Sequence, residues 1–180
     1  MQKLIMEKEL EVAIYILKRH KDELEKEEIH SLSRLRQLIS PYSDYVSKLK
    51  GKMLGDLAPY KKEEKFLDAV TQIIGHISDI TIVTLPIQYS LTFEEIEELM
   101  AASRIDKALL TTSLLRAAGS EDAAVVFGNK YITVKFAHMG ENYAIDIENN
   151  TLLKGDEAGG FIQGSEPKYL FNDLFFEFGK

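Results

Sequence analysis

Three side chains in the second half of this chain are of the types that nucleophilic hydrolysis needs: the hydroxyl of Ser103, the imidazole of His138 and the carboxylate of Asp146. Such a set works when the imidazole takes the hydroxyl proton and the acid orients the imidazole. Ser103 also precedes Asp106 by three residues, the spacing of a helix N-cap, whose hydroxyl accepts an amide N–H of the first turn. His138 falls in a predicted hairpin turn, so capping is the plainer use of Ser103. The chain of 180 residues has no cysteine, which removes thiol nucleophiles, thiolate metal sites and disulfides. Its histidines, His20, His30, His76 and His138, have no metal-ligand spacing, so no metal site is expected. The glycine-rich stretch from Gly155 to Gly164 lacks the Gly-Lys-Ser/Thr ending of a phosphate loop and reads as a mobile surface loop. No cofactor is expected.

Charge divides the chain unevenly. Residues 1–65 carry fourteen Lys/Arg against twelve Asp/Glu, and the remainder eight against seventeen, for a net charge of -7. An acidic second half disfavours nucleic acid as its partner. Arg34, Arg36, Lys48, Lys50, Lys52, Lys61 and Lys62 could form a basic face on the first half, which keeps nucleic-acid binding by the N-terminal helical part as an alternative. Interleaved acids make that face read first as solvated helix surface. The opening residues are interrupted by Glu7, Glu9 and Glu11 and lack the apolar core of a signal peptide. No run approaches the roughly 20 apolar residues of a membrane span. A cytoplasmic protein is expected.

The elements that must position these residues follow from periodicity. Leu10, Ala13, Ile14 and Leu17 recur at helical spacing, as do Leu32, Leu35, Leu38 and Ile39. The polar run from Asp22 to Glu28 reads as the start of that second helix. Pro41 interrupts the pattern, a short helix runs through Tyr45, Val46 and Leu49, and Gly51, Gly55 and Pro59 make a breaker-rich connection. Phe66, Val70, Ile73, Ile74 and Ile77 mark another amphipathic helix, and the residues from Asp79 to Leu85 a short strand. Thr92 and Glu95 form a capping box. The helix opening at Ser103 and ending at Gly119 is apolar on most sides, which predicts burial. Strand alternation then takes over at Ala123–Phe127, Tyr131–Ala137 and Tyr143–Ile147. The aromatic segment from Tyr169 to Phe178 reads as a closing strand pair or a single strand. Helices followed by an antiparallel meander predict α+β.

Several of these segments carry a resemblance. Asp106-Lys107-Ala108-Leu109-Leu110 and Leu114-Leu115-Arg116-Ala117-Ala118-Gly119, then Val134-Lys135-Phe136, then Tyr143 with Asp146, resemble the core of the transglutaminase-like superfamily, which is papain-related in fold. The resemblance covers roughly residues 90–150. It implies a cysteine opening the buried helix, a histidine on the following strand and an acid on the next. Aligned without gaps, the cysteine position falls on Arg104 and the histidine on Tyr131, and only the acid survives, as Asp146. Arginine has no deprotonated form to attack with, and a tyrosine of pKa about 10 is a poor base at neutral pH.

The reading is therefore an α+β chain with an N-terminal helical part, residues 1–60, and a transglutaminase-like core, residues 61–180, in which a buried helix packs on an antiparallel sheet. The expected function is a non-catalytic binding or scaffold module with an unidentified protein partner, or self-association through the N-terminal helices. A hydrolase with a rearranged Ser103/His138/Asp146 site is the rival. Arg104, Tyr131 and Asp146 would line a remnant groove, with Arg104 ion-paired to Asp146 and the Tyr131 hydroxyl donating to that same acid.

Overall fold

The computed structural model describes residues 2–24, 32–85 and 89–179. Residues 25–28 of the expected helix start, and His30, lie outside the described residues. The N-terminal helices are α1 (Gln2–Arg19), α2 (Lys21–Leu24), α3 (Leu32–Leu38) and α4 (Asp44–Met53). Helix α1 turns Val12 and Ile16, both fully buried, toward the protein, while Leu10, Ile14 and Leu17 face outward. The stripe that marked the helix in sequence is thus not the one it buries. The Ser43 hydroxyl opens α4 by accepting the Val46 amide. Helix α5 (Lys62–Ser78) buries Phe66, Ala69, Val70, Ile73 and Ile77, steps of three and four residues that keep one face inward.

A strand does form after α5, but pairing limits it to β1 (Thr81–Ile82), parallel to β2 (Ala101–Ala102). Helix α6 (Phe93–Leu99) lies between them and carries the expected capping box of Thr92 and Glu95. Helix α7 (Arg104–Ala117) is the central element, and residues 106–116 are all buried. A helix enclosed on every side has no solvent face to which a polar group can turn; the Thr111 and Ser113 hydroxyls donate to the Lys107 and Leu109 carbonyls, while the Thr112 hydroxyl has no partner among the described residues.

Six antiparallel strands follow in the spatial order β6-β5-β4-β3-β7-β8. They are β3 (Ala124–Gly128), β4 (Ile132–His138), β5 (Glu141–Asp146), β6 (Thr151–Lys154), β7 (Pro167–Phe171) and β8 (Phe176–Phe178). The turn between β4 and β5 is tighter than the sequence indicates. Only Met139 and Gly140, both at positive φ, separate the paired residues His138 and Glu141, as in a two-residue hairpin whose twist matches its strands. The glycine-rich stretch read as a mobile loop is a helix, α8 (Gly155–Gly164). Its glycines disfavour a helix locally, and tertiary packing overrides them: Ala158 is fully buried and Phe161 and Ile162 half-buried.

Successive strand residues point to opposite faces of the sheet. Val134 and Phe136 of β4 face the helices, where the Phe136 ring meets Phe66 of α5 edge-on at 5.6 Å. The odd-numbered residues of β4 face α8. One apolar cluster joins Val12, Ile16, Leu35, Ile39, Val46 and Leu49 of the N-terminal helices to α5, α7 and the inner face of the sheet. Arg116 and Asn172 lock the corner between α7 and the last hairpin. The buried Arg116 guanidinium donates to both Asp173 carboxylate oxygens, at 2.7 and 2.9 Å. The fully buried Asn172 amide donates to the Ala123 carbonyl, and its oxygen accepts the Leu174 and Phe175 amides.

Candidate functional site

The candidate site is the end of the sheet that faces the start of α7. Ser103 is extended at φ -67°, ψ 163° and caps the helix. Its hydroxyl accepts the Asp106 amide at 3.2 Å and donates to the Asp106 carboxylate at 2.8 Å. Both uses of the hydroxyl are local, within the first turn of the helix it caps. Arg104 follows as the first residue of α7, where a cation is disfavoured by the helix dipole. Its guanidinium donates to Glu148 at 2.5 Å, an ion pair between two exposed side chains.

This corrects the expected pairing with Asp146. The Asp146 carboxylate instead accepts the backbone amides of Glu148 and Asn149, at 2.9 and 3.1 Å, and the Asn149 side-chain amide at 2.7 Å. Asp146 is the last residue of β5, and a short acid there folds back onto its own turn. The longer Glu148 side chain reaches across to α7. The expected hydrogen bond from Tyr131 to Asp146 is not formed either. The Tyr131 hydroxyl donates to the Phe161 carbonyl of α8 at 2.5 Å, and the two rings lie 4.6 Å apart. Burial raises the Tyr131 pKa; Lys130 opposes that rise and Asp146 adds to it. Arg104, Asp146 and Tyr131 thus share one end of the sheet, each held by a different structural partner.

His138 belongs to the other end. It closes β4 six residues after Ile132, which at strand rise places it about 20 Å from the start of that strand. There its ring packs on Phe66 with centroids 5.0 Å apart. Asp146 lies opposite Thr133, near the beginning of β4. The set Ser103, His138 and Asp146 therefore does not assemble. Among the described residues, no group of three or more His, Asp or Glu side chains could hold a metal ion. No helix among them is long and apolar enough to cross a membrane.

The basic residues of the first half are partly spent on the fold. Arg36 donates to the Asn172 carbonyl at 3.1 Å, Lys50 to the Ala117 carbonyl at 3.2 Å, and Lys61 pairs with Glu64. Sequence reasoning missed Lys107, which is 1% exposed in the middle of the molecule. Its ammonium donates to the Ile80 carbonyl at 3.1 Å, and burial pushes its pKa down to about 8. The signal was a lysine inside an otherwise apolar helix. Also missed were the clasps on α6, where Glu95 meets His20 at 2.6 Å and Glu97 meets His76 at 2.7 Å.

A buried helix packed against one face of an antiparallel sheet, with helices gathered before it, is an α+β architecture. Solved structures of LapG from Legionella pneumophila share it, at a TM-score of 0.57 and 15% identity over 84% of this chain and 90% of that one. An EGTA-treated form of LapG matches at a TM-score of 0.55 and a calcium-bound form at 0.53, again at 15% identity. At that identity the likeness is one of fold, and it extends well beyond the segment that carried the sequence motifs. No protein-family model matches the sequence, and no curated protein does.

Proposed function

We propose that this chain is a non-catalytic protein built on the transglutaminase-like fold, serving as a binding or scaffold module that pairs with a second copy of itself through α1. The observation that carries the non-catalytic half is the start of α7. A nucleophile there would draw a lowered pKa from the helix dipole, but the position holds Arg104, tied to Glu148, beside a Ser103 hydroxyl spent on capping. The imidazole that would serve as base lies at the far end of β4. Treatment with a fluorophosphonate, read by intact mass, should leave the protein unmodified. An adduct mapped to Ser103 would overturn the reading.

The pairing rests on α1. Among the described residues, five of the ten exposed large apolar side chains lie on this helix: Leu4, Met6, Leu10, Ile14 and Leu17. Met6, Leu10, Ala13 and Leu17 follow the four-three-four spacing of a coiled-coil seam. Glu7, Glu11 and Lys18 flank one edge of the seam. Two copies packed antiparallel bring Glu7 of each toward Lys18 of the other, so opposite charges meet along that edge. Sedimentation velocity should show a dimer that Leu10→Glu and Leu17→Glu each convert to a folded monomer. A wild-type protein that stays monomeric at high micromolar concentration refutes the pairing.

A further inference from the structure

Helix α8 and the sheet do not close completely on one another. Between them lies a cavity of about 360 Å³, within the range of small-ligand pockets, about 300–1,000 Å³. Its sheet side carries Lys135, Leu170 and Glu177, and its helix side Gly159, Ile162 and Gln163. The space has a local cause. Lys135 is flanked in register by two small, fully buried residues, Ala124 and Ala144. On the opposite wall Gly159 has no side chain, and a Cβ built there would meet nothing within 4 Å.

Lys135 and Glu177 give the lining groups of opposite sign. Lys135 is half-buried and makes no hydrogen bond or ion pair among the described residues. Asp122, also in the wall, is already used: its carboxylate accepts the Ser120 hydroxyl at 2.9 Å and the Ala137 amide at 2.6 Å. Glu177 is the carboxylate left for a ligand, with the Gln163 amide beside the opening. Ile162, Leu170 and Phe175 supply apolar wall.

We infer that this cavity binds a small zwitterion with an apolar side chain, of the class of free aliphatic and aromatic α-amino acids, its carboxylate on Lys135 and its ammonium toward Glu177. Charge-assisted bonds at both ends would fix the ligand's direction, and the apolar wall would take its side chain. The site lies on the α8 face of the sheet, away from α1 and the start of α7, so it stands or falls apart from the scaffold reading.

Amide chemical shifts of the ¹⁵N-labelled protein, titrated with leucine and with phenylalanine, provide the test. A saturable shift centred on Lys135, Gly159 and Ile162 is expected. N-acetyl-leucine, without the ammonium, and leucinamide, without the carboxylate, should each bind about tenfold weaker, the worth of one charged hydrogen bond. Lys135→Met should weaken leucine by a similar factor. Gly159→Leu should abolish binding by filling the space, in a helix position where a side chain is better tolerated than glycine. Glu177→Gln, on an exposed residue, repeats the test at the ammonium end should either of those variants fold poorly. The inference is overturned by the absence of a saturable shift at millimolar amino acid. It is equally overturned by binding that survives Lys135→Met and Gly159→Leu, or by analogues that bind as tightly as leucine.

Discussion

Replacing Lys107 with methionine should make this protein more stable. Lys107 lies in the body of α7 at 1% exposure, with a single hydrogen bond to the Ile80 carbonyl. Burial lowers its pKa from 10.5 to about 8. At neutral pH the ammonium is charged in both folded and unfolded states, and the depressed value means the folded state bears its desolvation. At 1.36 kcal/mol per unit, that cost is about 3 kcal/mol. Methionine has nearly the same length and no charge, and its loss of the bond to Ile80 offsets about 1 kcal/mol. The net expectation is a gain of about 2 kcal/mol at pH 7 for Lys107→Met, read from the urea midpoint at constant slope.

The pH dependence isolates the cause. Between pH 8 and 10.5 the unfolded lysine still holds its proton while the folded one has shed it, so wild-type stability rises with pH across that window. Lys107→Met lacks this contribution, and its advantage should shrink as pH rises. Tyr45, pushed up to about 12 by burial, destabilises the fold by its own titration above pH 10, but equally in both proteins, so the difference between them remains clean. A variant less stable than wild type at pH 7, or an advantage that does not change between pH 8 and 10, would refute the reasoning.

Arg116→Ala should cost about 3–5 kcal/mol in urea unfolding, because it removes a two-point ion pair and strands Asp173 in a partly buried corner. Glu95→Ala should cost about 1–2 kcal/mol near neutral pH by removing half of the α6 capping box and the His20 contact. Burial by itself would raise the Glu95 pKa, but the Thr92 amide and His20 together bring it below 4.5. A depressed carboxylate contributes stability above its unfolded pKa and loses it as pH falls. Wild type should therefore lose more stability than Glu95→Ala on acidification below pH 4.5, checked by urea midpoints along an acid series.

What the sequence by itself determined is whatever depends on neighbours three or four residues away, or on alternation. The capping residues Thr92 and Ser103 and the buried character of α7 are of this kind, as are the strands that follow. The strand character of the closing segment was legible for the same reason, and its division into β7 and β8 is shown by their pairing. Tertiary structure decided the rest. The glycines of α8 read locally as a loop, and only the burial of Ala158 and packing against β5 make that stretch helical. The side chain that meets Arg104 depended on the turn after β5, which consumed Asp146 and left Glu148 free to reach. The buried face of α1 depended on which of two apolar stripes met the core. Hydrogen bonds form only between atoms within about 3 Å of each other, and such closeness between residues 44 positions apart, as in Arg104 and Glu148, is set by the packing of whole elements rather than by spacing along the chain.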